Sequence, residues 1–270
     1  MIKTIRQENI FDEVHKKGLV SLADLAQILS VSEITIHRDL EELERAGKLK
    51  RVRGGAKRIS PFGPEPPVLQ RHADQINEKK TIALEALRLI VDGEVIALES
   101  GSTTIEMARA ISQKSGWKNL QVVTNSFPIV QELLQVEGVK IVFLGGIVST
   151  EELGTFGMFT ESMLKKMSIN KVFLGCRGID TKVGLSNSMQ AEAEVTTVQA
   201  FVNASNQTII LADHTKFGNV FLFHMLSIQQ IDVVVTDSLT DIHFINELRE
   251  QDIQVLVVNS DSIIDHVLAP

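Results

Sequence analysis

Cysteine is nearly missing from this chain: Cys176 is the only one in 270 residues. A single thiol excludes a disulfide framework and a thiolate metal cluster. The seven histidines fall without the spacing of metal ligands, so neither a metal centre nor a cofactor is expected. There is no tyrosine, and Trp117 is the sole tryptophan. No apolar run is long enough to cross a membrane, and no charged-then-apolar leader opens the chain. These absences predict a cytoplasmic protein without a membrane partner. Proline is also scarce, at six residues, yet four of them crowd into Ser60–Pro67, "SPFGPEPP". That segment cannot be helical throughout and reads as a linker.

The rest is ordinary globular material, 44% hydrophobic and 23% charged. The length exceeds what one ordinary core needs, so two domains are expected. Charge supports the division. Residues 1–60 hold twelve Lys/Arg against nine Asp/Glu, a net of +3, and the remaining 210 hold fifteen against twenty-five, a net of -10. The expected boundaries are a first domain over 1–59, a linker over 60–67 and a second domain over 68–270.

Three short helical patterns fill the first domain. Ile5, Ile10, Phe11 and Val14 share a face of a helix that stops at Gly18. Ser21, with Asp24 three residues on, starts a second helix, "LADLAQIL". Ser30 and Val31 form a tight connection, and Ser32 caps a third helix that ends near Gly47. Two helices joined by so short a turn suggest helix-turn-helix. In the third, Ile36, Leu40 and Leu43 form a docking face, while Ile34, Arg38, Glu41 and Arg45 lie opposite, flanked by Thr35 and His37. A recognition helix needs that arrangement, and Ser32, Thr35, His37 and Arg38 are the candidates to meet base edges. Next comes "KLKRVRGGAKRI", alternating apolar and basic about Gly54-Gly55, which predicts a hairpin. As a wing it would offer Lys48, Lys50, Arg51 and Arg53 to phosphates. A basic stretch alone is often only a solvated face; the ordered combination argues for DNA. Asp39 and Glu42 have Arg and Lys neighbours to pair with.

Beyond the linker, "LQVVTN", "VKIVFLGG", "KVFLGCRGID", "QTIILAD", "IDVVVTD" and "IQVLVV" are mostly continuous Val/Ile/Leu runs, as strands buried on both faces should be. Helical segments separate several of them, which predicts an α/β domain with a mainly parallel sheet. Ligands of such sheets sit at the C-terminal ends of strands. The segment "IALESGSTTIEMARAI" is the most informative. Gly101 permits close approach. Ser102, Thr103 and Thr104 offer hydroxyls beside a helix N-terminus, where an anion is stabilised, and Glu106 completes a Thr-x-x-Glu box. Ordinary capping would need only one of those hydroxyls. Asn125, Gly145, Gly146 and Lys216 follow other strand ends, and Asp180 follows "RGI".

"SLADLAQILSVSEITIHRDLEELERAGKLKRVRGGA" resembles the DNA-binding region of the DeoR-type bacterial transcription regulators. Thr35, Ile36, Arg38, Asp39 and Leu40 match that family's pattern, and His37 stands where an arginine is usual. "LESGSTT", "VVTNS", "FLGG", "FLGCRGID…GLS" and "ILADHTKFG" resemble its effector domain in order, so the likeness spans nearly the whole chain. It departs at Glu99, usually Asp, at "CRGID", which puts Arg177 beside the expected site, and at "DHTKFG". The resemblance implies an N-terminal winged helix-turn-helix and an α/β effector domain like ribose-phosphate isomerase. It implies a repressor of a sugar operon, released from operator DNA by a phosphorylated sugar and working as a homo-oligomer, dimer or tetramer. The implied effector residues are Ser100, Gly101, Ser102, Thr103 and Thr104 for phosphate, with Asn125, Gly145, Asp180 and Lys216 around them. No catalytic residue is expected. Two alternatives remain: a sugar-phosphate isomerase or deaminase with an accessory DNA module, and a DNA-binding protein whose second domain only oligomerises.

Overall fold

Short local signals set the first helices. In the computed structural model, which describes residues 2–45, 48–58, 66–188 and 192–259, helix α1 (Lys3–Lys17) ends on Gly18 at φ 78°, whose N–H donates to the Val14 carbonyl. Strand β1 (Leu19–Ser21) follows, then α2 (Leu22–Leu29), capped by the Ser21 hydroxyl accepting from the Asp24 N–H at 3.1 Å. Ser30 turns the chain in the left-handed region at φ 53°. Helix α3 (Glu33–Arg45) starts where Ser32 Oγ accepts from the Thr35 N–H at 3.3 Å. Its expected stop at Gly47 lies outside the described residues, as does 60–65 of the expected linker.

Strands β2 (Lys50–Val52) and β3 (Gly55–Lys57) form the expected hairpin. The turn is Arg53-Gly54, with Gly54 at φ 80°, rather than Gly54-Gly55. Gly55 belongs to β3, which also pairs with β1 to give the antiparallel order β1-β3-β2. A Cβ on Gly55 would come within 2.2 Å of the Val20 carbonyl oxygen, so the close pairing of β1 and β3 requires glycine there. Ile10, Val14, Val20, Leu25, Leu29, Ile36, Leu40, Leu43, Leu49 and Ala56 make the core of this unit. Ile5 does not join it and is exposed. The first turns of α1 meet α3 through polar side chains instead. Lys3 pairs with Glu42 at 2.7 Å, Gln7 Nε2 donates to Glu42 at 2.6 Å, and Arg6 grips the buried Asp39.

The chain divides into two compact units, 1–63 and 64–270. The second opens with α4 (Val68–Ala73), α5 (Ile76–Leu87), β4 (Val95–Leu98), α6 (Ser102–Gln113), β5 (Leu120–Thr124), α7 (Phe127–Leu133) and β6 (Val139–Phe143). A hairpin, β7 (Ile147–Ser149) and β8 (Gly154–Phe156), leads to α8 (Met158–Leu164) and β9 (Ile169–Gly175). Then come β10 (Gly178–Asp180), β11 (Gly184–Asn187), α9 (Glu192–Asn203), β12 (Ser205–Leu211), β13 (Phe223–Leu226), β14 (Val233–Asp237), α10 (Ile242–Arg249) and β15 (Gln254–Val258).

Seven of these strands form a parallel sheet in the order β15-β14-β12-β9-β4-β5-β6. The apolar runs of its inner strands are buried on both faces, as parallel strands require, while the edge strands β6 and β15 are partly exposed. One core holds Ile82, Ala86, Met107, Ile111, Ile129 and Leu133 from α5, α6 and α7. The other holds Leu164, Val198, Phe201, Ile245 and Leu248 from α8, α9 and α10. The sequence pattern did not anticipate the small antiparallel sheet β10-β11-β13 or the β7–β8 hairpin. Successive strands step from β4 outward through β5 to β6, and the chain then returns to lay β9 on the other side of β4. The strand order reverses at the β4/β9 pair, the place where open α/β sheets bind ligands. No helix among the described residues is long and apolar enough to cross a membrane.

Candidate functional site

On the first unit, burial of Ile36, Leu40 and Leu43 turns the opposite face of α3 outward. Ser32, Ile34, His37 and Arg38 are exposed on it and Thr35 is half-buried. The Ser32 and Thr35 hydroxyls are 2.9 Å apart, so these two candidates already partner each other at the helix start. Arg38, Lys48, Lys50 and Arg53 are exposed and carry no ion pair among the described residues. Arg51 differs. Its guanidinium lies 3.0 Å from Glu41 and 3.2 Å from His37 Nε2, and its backbone N–H donates to Glu44 at 2.8 Å. His37 Nδ1 is 3.4 Å from the same Glu41 carboxylate. A neutral ring with its proton on Nδ1 satisfies both contacts. The wing cation expected to be free is thus folded back on α3.

On the second unit, a cavity opens at the strand-order reversal. From β4 and the start of α6 come Glu99, Ser100, Gly101, Ser102 and Thr103, and from the end of β9 come Gly175, Cys176 and Arg177. Arg71, Glu152, Asn187, Glu194, Val198, Lys216 and Met225 also line it. The first turn of α6 has amides that no intrahelical carbonyl can take, and they carry the positive end of the helix dipole. Lys216 is delivered by a short turn capped by Asp213, whose carboxylate accepts from the Thr215 N–H at 3.0 Å. His214 fastens that turn to β14, its N–H donating to Asp237 at 2.8 Å. Burial alone would push the Asp213 carboxyl up, but Lys216, the Thr215 hydroxyl, Lys79 and His214 together hold it below its ordinary value.

Among the described residues, three cations and three carboxyl groups share this space. The Arg177 guanidinium sits over the Phe221 ring, 4.3 Å from its centroid. Arg71 donates to Glu152. Glu194 accepts from Asn187 Nδ2 at 3.1 Å. Glu99 is buried, and burial first, then the charges of Glu194 and Glu152, push its carboxyl well above the usual range, against the pull of Arg71 and Asn125. A neutral carboxylic acid there can donate a hydrogen bond as well as accept one.

Of the expected effector residues, Ser100, Gly101, Ser102, Thr103 and Lys216 meet at this cavity. Four expectations change. Thr104 is buried and its hydroxyl donates to the Glu99 and Gly101 carbonyls, at 2.6 and 2.9 Å, so it fixes the loop from beneath. Asn125 is fully buried; its Oδ1 accepts from the Ser100 N–H at 2.9 Å and its Nδ2 donates to the Thr155 carbonyl at 3.0 Å, bracing the loop against β8. Gly145 lies off the cavity and is exposed, its carbonyl accepting from the Thr160 hydroxyl at 3.0 Å. Asp180 closes the β10–β11 turn, accepting from the N–H groups of Lys182 at 2.9 Å and Val183 at 3.0 Å. The expected Thr-x-x-Glu box is also absent, because Glu106 accepts from His72 and from Arg109 instead. Sequence reasoning missed Arg71, Glu152, Asn187 and Glu194, which come from segments with no anion-site pattern. Among the described residues, no group of three or more His, Cys, Asp or Glu side chains could hold a metal ion.

The DeoR C terminal sensor domain model matches residues 74–238, and the DeoR-like helix-turn-helix domain model matches residues 6–62. An HTH-type transcriptional regulator of Bacillus subtilis is 33% identical over 258 residues, covering 96% of this chain and 98% of the relative. The glycerol-3-phosphate regulon repressor of Escherichia coli is 31% identical over 255 residues, covering 94% of this chain and 99% of the relative. Among solved structures, ribose 5-phosphate isomerase A from Neisseria gonorrhoeae is similar over 52% of each chain, at 17% identity and a TM-score of 0.38.

Proposed function

The chain belongs to the DeoR family of helix-turn-helix transcriptional regulators, and on that premise we propose that it is a repressor whose cavity holds a phosphorylated sugar or related metabolite that releases it from operator DNA. The observation that carries this reading is the convergence of the α6 N-terminus, Lys216, Arg71 and Arg177 on one cavity. Backbone amides and cations together favour a phosphate. The carboxyls of Glu99, Glu152 and Glu194 and the amide of Asn187 suit the hydroxyls of a sugar or polyol. That one relative is a repressor named for the glycerol-3-phosphate regulon is consistent with the same class of effector here.

On the DNA side, the exposed start of α3 reads bases and Lys48, Lys50 and Arg53 of the wing meet phosphates. A homo-oligomer would place two such units on repeated half-sites. The role is regulatory in this reading, and the groups an enzyme would need are engaged: Asp180 holds a turn and Lys216 faces Asp213 at 3.8 Å. The protein stays in the cytoplasm, where both operator and phosphosugar are found.

A thermal-shift panel tests the effector reading. Phosphosugars and their unphosphorylated counterparts are compared, since a ligand specific for the native state must raise its stability. At least one phosphorylated member is expected to raise Tm while its sugar does not. A panel in which no phosphorylated compound raises Tm contradicts the reading and leaves a second unit that only oligomerises.

A further inference from the structure

The segment that joins the two units re-enters the described structure at Pro66, and its anchorage there converges on Arg71. The Val68 N–H donates to the Glu151 carbonyl at 2.9 Å, and Arg71 Nε donates to the Pro66 carbonyl at 2.9 Å. Nη2, on the same edge of the guanidinium, donates to the Glu152 carboxylate. Glu152 is itself held, its N–H donating to Ser149 Oγ at 3.2 Å and its carbonyl accepting from Ser100 Oγ at 2.8 Å. Both Arg71 and Glu152 line the cavity. One cationic side chain therefore touches the cavity, a carboxylate in its wall and the exit of the connecting segment.

The remainder of α4 is tied down by other groups. Lys79, 1% exposed, donates through Nζ to the Arg71 and Asp74 carbonyls at the helix's end. His72 and Arg109 share Glu106 on α6. At the entry of the helix, Arg71 supplies the one side-chain bond to Pro66 among the described residues.

We propose that Arg71 is an effector ligand and that the effector's anion takes it from Glu152, loosening the Pro66 anchor in the same movement. This rests on reading the cavity as an anion site. The guanidinium is planar and its donors are fixed relative to one another. Drawing the guanidinium toward an anion at the α6 N-terminus and Lys216 would move its Nε–Nη2 edge off Glu152 and the Pro66 carbonyl. The exchange replaces one charge-assisted pair by another of the same kind, so the two states are close in energy and a modest differential affinity shifts them. Anchored and released states of the connecting segment then belong to the empty and the filled cavity.

The test uses the full chain with inorganic phosphate as the probe, read by thermal melting and by hydrogen exchange of the peptide covering residues 66–73. Wild type should gain Tm with phosphate, and exchange in that peptide should accelerate roughly 5-fold or more. Glu152→Gln should show fast exchange before phosphate is added and bind phosphate several-fold more tightly, because its competitor for Arg71 is gone. Arg71→Lys keeps the charge but not the fork; it should still gain Tm with phosphate while exchange in the peptide no longer responds. If phosphate raises Tm but leaves exchange at 66–73 unchanged or slows it, the coupling is overturned and the anion site stands. If neither Tm nor exchange responds, both fall.

Discussion

The Arg51 guanidinium on the wing lies 3.0 Å from the Glu41 carboxylate on α3, with Glu44 and the His37 ring completing its surroundings. The cation is neutralised within its own unit before any DNA arrives. Exposed pairs of this kind contribute only about 0–1 kcal/mol, so a phosphate can compete for it. Glu41→Gln should therefore strengthen binding to an unrelated duplex and steepen the dependence of log K on log salt by up to about one unit. Arg51→Ala should weaken binding less than Lys50→Ala or Arg53→Ala. Anisotropy titrations across salt would check both; a Glu41→Gln slope equal to wild type would show that Glu41 does not hold Arg51 back from phosphates.

Arg38 is exposed on the outward face of α3. If it reads a base, Arg38→Ala costs about 1–3 kcal/mol on operator DNA and relaxes the preference at one position, while binding to unrelated DNA changes little. Equal losses on operator and unrelated DNA would make it a phosphate contact.

Asp39 is 2% exposed and takes two bonds from the Arg6 guanidinium, one of them at 3.1 Å. Asp39→Asn removes the carboxylate bonded to Arg6 and leaves it the nearby charge of Glu42, so the first unit should lose about 1–3 kcal/mol. Urea unfolding followed by circular dichroism measures this, and a loss under about 0.5 kcal/mol would mean that water replaces the carboxylate at little cost.

Glu99 links the cavity to pH. Its folded-state pKa is raised above the ordinary 4.5, so the native state holds the proton more tightly than the unfolded chain. The corresponding stability is complete below about pH 4.5 and is lost as pH rises through the folded value. Wild type should therefore fall in stability relative to Glu99→Gln between about pH 5 and 7. Lys79, pushed down to about 8 by burial and then by the charge of Lys216, acts in the opposite sense at higher pH. Keeping the comparison at or below pH 7 separates them. Parallel stability curves for the two proteins would place Glu99 in a wetter setting.

What was legible in the sequence was what short range decides. Ser21 and Ser32 announced their helices because a cap is a bond between near neighbours, and the apolar runs announced a parallel sheet because its strands are buried on both faces. The cavity loop at Ser100–Thr103 was legible for the same reason, since strand, glycine and helix start are contiguous. Strand β1 was not, because Leu19–Ser21 has meaning only against β3, brought back by the hairpin. Arg71, Glu152 and Glu194 enter the cavity from α4, a hairpin loop and α9, through a chain path that no local pattern encodes. Asn125 and Asp180 carried the right chemistry, but backbone groups beside them take it up.

The central claim is that filling the cavity weakens DNA binding. The direct measurement is anisotropy of labelled DNA from upstream of the protein's own gene, titrated with the full chain in the presence of each phosphosugar and its unphosphorylated counterpart. One phosphorylated compound should lower the affinity roughly 5–150-fold, its sugar should not, and Lys216→Gln should bind the DNA normally but lose the response. Specific DNA binding that no phosphorylated compound alters, in wild type and variant alike, would contradict the account.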